Sequence, residues 1–164
     1  MTRRIHAPLL SLLACALAAC GSSPDAAAPA PESERALPRA EVVRSGMCGV
    51  TERSVRVART DEELEALWAD VYAFQRPAPP VPEVDLASSM VVAVFMGARP
   101  SGGYAIEIVD VSARAATADE NAEVLVRVRE TLPADGDPVT MATTSPFHVV
   151  VVERADGAAR LEAE

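Results

Sequence analysis

Two apolar runs, residues 90–96 and 104–111, stand on either side of Gly97-Ala98-Arg99-Pro100-Ser101-Gly102-Gly103. One Pro and three Gly between two strand-like runs force the backbone to turn, and Gly102 and Gly103 accept φ > 0 without steric cost. The turn would display Arg99 and Ser101 and set Tyr104 at the head of the next strand. Residues 90–96 are apolar throughout, which predicts a strand buried on both faces and so placed inside a sheet.

The rest of the chain arranges itself around that pair of strands. Residues 40–44 and 53–59 alternate as strands, with Val55 and Val57 on one side and Arg56 on the other. Thr60-Asp61-Glu62-Glu63 is a capping-box pattern, with Thr60 as N-cap and Glu63 at N3. Leu64, Leu67, Trp68, Val71 and Tyr72 then recur at helical spacing. The helix should stop near residues 74–76, because Pro77, Pro79, Pro80 and Pro82 follow. Trp68, the single Trp, reads as an anchor between helix and sheet. After the turn, Ile106 and Ile108 share one face, but apolarity then moves to Val109 and Val111, which predicts a bulge near Ile108. Val124, Val126 and Val128 face inward with Arg127 and Arg129 outward. Residues 138–144 suggest a short irregular strand, and residues 147–154 the last strand. The connections are too short for parallel crossovers. The predicted class is α+β: a mainly antiparallel sheet or partial barrel of five to six strands, with one N-terminal amphipathic helix packed on it.

The N-terminal segment has a different character. Arg3 and Arg4 precede a short apolar stretch, residues 9–19, too short to span a bilayer as a helix. It ends Leu17-Ala18-Ala19-Cys20-Gly21, which resembles the lipobox of bacterial lipoproteins. That resemblance implies a signal peptide over 1–19, an acylated Cys20, and a lipid anchor in the cell envelope, with the outer membrane favoured by Gly21. Residues 20–39 are rich in Ala and Pro and lack apolar periodicity, so they are expected to form a disordered tether. The folded domain is expected over 40–156, with a tail over 157–164.

Composition narrows the chemistry. The chain carries a net charge of −9, and its 15 basic residues are all Arg. Such an acidic chain repels nucleic acid. Cys15 would leave with the leader and Cys20 would carry lipid, so Cys48 stands alone and no intramolecular disulfide is expected. His148 is the one His beyond the leader, and no second His or Cys lies at ligand spacing, so no metal or cofactor is expected. No Gly-x-Ser-x-Gly elbow accompanies His148, which reads as a packed, hydrogen-bonded residue. Asp135-Gly136-Asp137 lacks the rest of a calcium loop. The turn is no phosphate loop, because Pro100 removes an amide donor and no Gly-Lys-Ser/Thr follows. No catalytic machinery is evident. Arg99 and Tyr104 are of the types enriched at interface hot spots, so the candidate binding residues are Arg99, Ser101, Gly102, Gly103 and Tyr104.

The helix over 61–68, the strand over 91–97, the segment Gly97-Ala98-Arg99-Pro100-Ser101-Gly102-Gly103-Tyr104 and the segment Thr144-Ser145-Pro146-Phe147-His148-Val149 together resemble the PrcB C-terminal domain family. The family is named for a lipoprotein subunit of a surface protease complex. In it, Gly-Gly-Tyr follows a basic residue and a Ser or Thr, as Arg99 and Ser101 do here. The resemblance covers about residues 50–154. It implies a non-catalytic, protein-binding domain that acts as an accessory or stabilising subunit beside an envelope protease. A second resemblance is to chagasin-type protease inhibitors, whose Asn-Pro-Thr-Thr-Gly-Tyr loop is similar to residues 99–104. It implies inhibition through the Arg99–Tyr104 turn, although Arg replaces the Asn and no Arg-Pro-Trp loop follows.

Overall fold

Strand β4, Ser89–Phe95, sorts its side chains between two cores. Met90, Val92, Val94 and the following Met96 enter one, and Val91, Ala93 and Phe95 enter the other. This is the period-2 alternation of an extended strand with both faces covered. A computed structural model describes residues 34–118 and 120–164. The expected leader over 1–19, the lipidation site Cys20 and the tether up to residue 33 lie outside the described residues.

In chain order the elements are β1 (Glu34–Ala36), β2 (Arg39–Ser45), β3 (Ser54–Ala58), α1 (Asp61–Val71), β4, β5 (Ala105–Arg114), β6 (Glu123–Thr131), β7 (Phe147–Glu153) and β8 (Ala158–Ala163). They form two four-stranded sheets, ordered β1-β5-β6-β8 and β2-β7-β4-β3. The sheets face one another across the first core, where Ile106, Ile108, Val124, Val126 and Val128 meet Val92, Val94, Val150 and Val152. The helix covers the outer face of the second sheet, burying Leu64, Leu67 and Val71 against Val91, Ala93, Phe95 and Val149.

Several sequence expectations are met. Thr60 caps the helix, its hydroxyl accepting the Glu63 N–H at 3.2 Å, while the Glu63 carboxylate accepts the Arg59 N–H at 2.7 Å. β4 lies between β3 and β7. The register of β5 against β6 shifts between Ile108 and Asp110, the predicted bulge. Trp68 is buried as expected, but its ring N–H donates to the Pro79 carbonyl at 3.0 Å and its ring lies 4.9 Å from Tyr72, so it ties the helix to the Pro-rich loop rather than to the sheet.

Other expectations are corrected. The described residues form eight strands in two separate sheets rather than five or six in a partial barrel. The helix is central in the chain, after three strands, rather than N-terminal. β1, Glu34–Ala36, falls inside the expected tether. β1 pairs with residues 112–114 of β5, and Leu37 is buried with its N–H bonded to the Val111 carbonyl at 2.7 Å. Residues 157–164 are not a tail, since β8 pairs in parallel with β6. β1 reads Glu-Arg-Ala and β8 Ala-Ala-Arg-Leu-Glu-Ala. Each offers too few large apolar groups to betray a strand, because each covers only a sheet edge. Residues 138–144 form no strand; Thr144 makes an isolated bridge to Arg99.

The outer face of the first sheet is charged. Arg127 lies 3.2 Å from Asp110 and 3.8 Å from Glu162, and Arg160 lies 3.0 Å from Glu162. Pairs this exposed each contribute less than about 1 kcal/mol, but those of Arg127 match charge across neighbouring strands. Among the described residues, no helix is long and apolar enough to cross a membrane.

Candidate functional site

The chain leaves β4 at Phe95 and enters a turn fastened at every step. The Met96 N–H donates to the Pro146 carbonyl at 2.9 Å and the Ala98 N–H to Thr51 at 2.9 Å. Arg99 and Thr144 exchange backbone bonds of 2.7 and 3.0 Å. The Gly102 N–H donates to the Thr140 carbonyl at 2.9 Å, and the Thr144 hydroxyl to the Ser101 carbonyl at 2.7 Å. The two motifs singled out in the sequence, residues 97–104 and 144–149, are thus joined at one end of the domain.

Most of the candidate binding residues have structural duties there. Tyr104 is half-buried and packs against the first core. The Ser101 hydroxyl donates to the Gly102 carbonyl at 3.0 Å. Arg99 is half-buried rather than displayed. Its Nη2 donates to the Met96 carbonyl at 2.9 Å, and its guanidinium lies over the Tyr104 ring, 5.8 Å from the centroid. Its Nε is buried without a hydrogen-bond partner.

Gly103 has φ +86°, and a Cβ there would sit 3.0 Å from both Pro133 and Val139 side chains. A Cβ at Gly102 would instead meet the Thr140 hydroxyl, the movable end of a side chain. Gly103→Ala is therefore expected to cost about 1–3 kcal/mol, and Gly102→Ala clearly less. Urea unfolding of the two variants checks the order.

A second feature at this end was missed by sequence reasoning. An uncharged groove of about 470 Å³ runs between β2 and the end of α1, lined by Val43, Met47, Tyr72, Phe74, Pro79 and Phe147 among others. Met47 is 51% exposed and Phe74 76% exposed, so apolar surface faces solvent at its rim. The groove exists because α1 ends at Val71, with Tyr72 as C-cap, ahead of the expected stop at 74–76. Phe74 therefore leaves the helical stripe. The sequence signal was an aromatic residue just before a Pro-rich run. Burial pushes the Tyr72 hydroxyl's pKa up.

Cys48, also in the groove lining, is 3% exposed. Its pKa is raised, mainly by burial, against the lowering effects of a hydrogen bond with the Val50 backbone and of the Arg56 charge. Another hollow, about 530 Å³, borders the start of α1 and is walled by Asp61, Glu65, Glu83 and Asp85. Among the described residues, no group of His, Cys, Asp or Glu side chains is arranged to hold a metal. His148 is 2% exposed between the sheets, where its Nδ1 accepts the Ile108 N–H at 2.8 Å.

The architecture defines a two-sheet β domain with one covering helix, its strand-end loops tied into a single rim. Residues 90–153, from β4 through β7, match the family model of the PrcB C-terminal domain. No curated protein and no solved structure matches the chain.

Proposed function

We propose that this chain is a bacterial envelope lipoprotein, anchored through Cys20. On this reading its folded domain is a non-catalytic, protein-binding module serving as an accessory or stabilising subunit beside an envelope protease. The observation that carries the reading is the groove between β2 and α1. It is uncharged, although 24% of the chain's residues are charged, and it carries exposed Met47 and Phe74. Apolar surface grouped in a concavity is the mark of an interaction site rather than of scattered surface residues. The PrcB C-terminal match over 90–153 supports an accessory role, and the Leu17–Cys20 pattern supports the anchor.

A second reading is protease inhibition through the Arg99–Tyr104 turn. The pinning of this turn to residues 140–146 favours it, because a rigid loop enters a protease cleft at low entropic cost.

Both readings meet one experiment. The tagged, lipidated protein is captured from its native membrane as wild type, Phe74→Ser and Arg99→Ala, with thermal melting as the folding control. The expected result is a specific envelope peptidase retained by wild type and reduced at least about tenfold by Phe74→Ser, as for loss of an interface anchor. Loss in Arg99→Ala alone, with the captured peptidase inhibited by added domain, would establish the inhibitor reading instead. Equal capture by all three would remove both surfaces from the interface.

A further inference from the structure

His148 joins the two sheets through a bond that cannot survive protonation of its ring. It stands on β7 on the face toward the first sheet and is 2% exposed. Its Nδ1 accepts the Ile108 N–H, at the bulge in β5, at 2.8 Å. In the neutral ring the proton therefore sits on Nε2. Nε2 lies 3.3 Å from a Glu41 carboxylate oxygen but is not aligned for a hydrogen bond. Taking up a second proton turns Nδ1 into a donor and sets it against the Ile108 N–H, so the link between the sheets must open.

We propose that His148 is an acid-sensitive latch between the sheets, released when its ring is protonated. Release acts on the strands that meet there. Arg44 of β2 is the register partner of His148, and Val43 and Ser45 beside it line the groove, as does Phe147. β2 is a sheet edge, held on one side by β7. The latch therefore lies directly behind the groove and can couple acidity to its shape.

The charged groups facing the ring are Glu41 and Arg44 of β2 and Glu107 of β5, while β4 presents Val94. Burial is the largest influence and lowers the ring's pKa below its ordinary 6.5; Arg44 adds to this, and Glu41 and Glu107 oppose it. Because the folded-state pKa is depressed, the unfolded chain binds the proton first as pH falls. Stability from the latch is full above about pH 6.5 and is lost as pH falls toward the folded-state value.

The test is NMR of the full chain in detergent micelles from about pH 7.5 downward, following the His148 ring shifts and hydrogen exchange at the Ile108 amide. The expected result is loss of Ile108 protection as the ring takes up its proton, by about tenfold per pH unit between about pH 6.5 and the ring's lower folded-state pKa and levelling off below it, with Val126 in β6 still protected. Ring protonation without change at Ile108 would overturn the latch. So would a ring that stays neutral until the whole domain unfolds. His148→Gln keeps an acceptor and removes the titration, so its Ile108 protection should be flat with pH. The same acid profile in that variant would also overturn the proposal.

Discussion

Phe95→Ala is expected to lower the stability of the domain by about 3–5 kcal/mol, the largest effect of any single substitution considered. The ring is fully buried at the end of β4, stacked 6.4 Å from Phe147, and the Arg56 guanidinium lies 5.5 Å from its centroid. Truncation would open a cavity between the helix and the second sheet. That site collapses poorly, because β4 is held by ladders to both β3 and β7. Urea denaturation followed by Trp68 fluorescence reads the loss. A change below about 1 kcal/mol would mean that the second core repacks freely.

Removing residues 157–164 is expected to destabilise the domain by on the order of 3 kcal/mol, combining the burial of Leu161 with the lost ladder to β6. Leu161 and Ala159 pack against the first core, and Arg129 loses Glu164, whose carboxylate lies 2.7 Å away. The truncation also bares β6 as a sheet edge. β6 carries Val124, Leu125 and Val126, so concentration-dependent association should follow in light scattering. An unchanged melting temperature in a strictly monomeric product would show that β8 is dispensable.

These two predictions bracket what could be read from the residues. β4, the capping-box helix and the β5 bulge were legible because each rests on a dense apolar pattern or on a local hydrogen-bonding device. β8 was not, since its single large apolar residue, Leu161, covers only one end of the core. β1 was hidden for a similar reason: Glu34 and Arg35 are exposed, and the buried residue, Leu37, follows the strand. The two sheets could not be separated from one partial barrel, because alternation reports which side chains are buried and not which strands share hydrogen bonds. At the turn, sequence located Arg99, Ser101, Gly102, Gly103 and Tyr104 but not their tasks. Their attachment to residues 140–146 depends on partners about forty positions away. The groove was invisible because it arises where the helix stops short, and Phe74 gives no sign by itself of being exposed.

The pairing of β2 with β7 carries a consequence for how the protein is made. Arg39 meets Val152 and Ser45 meets Phe147, so this edge of the second sheet closes only after about a hundred further residues have been synthesised. β3 and β4 can form a nearer ladder, yet β7 must still enter between β4 and β2. Non-local strand pairing of this kind slows folding. A chain passed through a membrane N-terminus first would thus carry β2 across without its mate, because β7 is among the last residues to leave the ribosome.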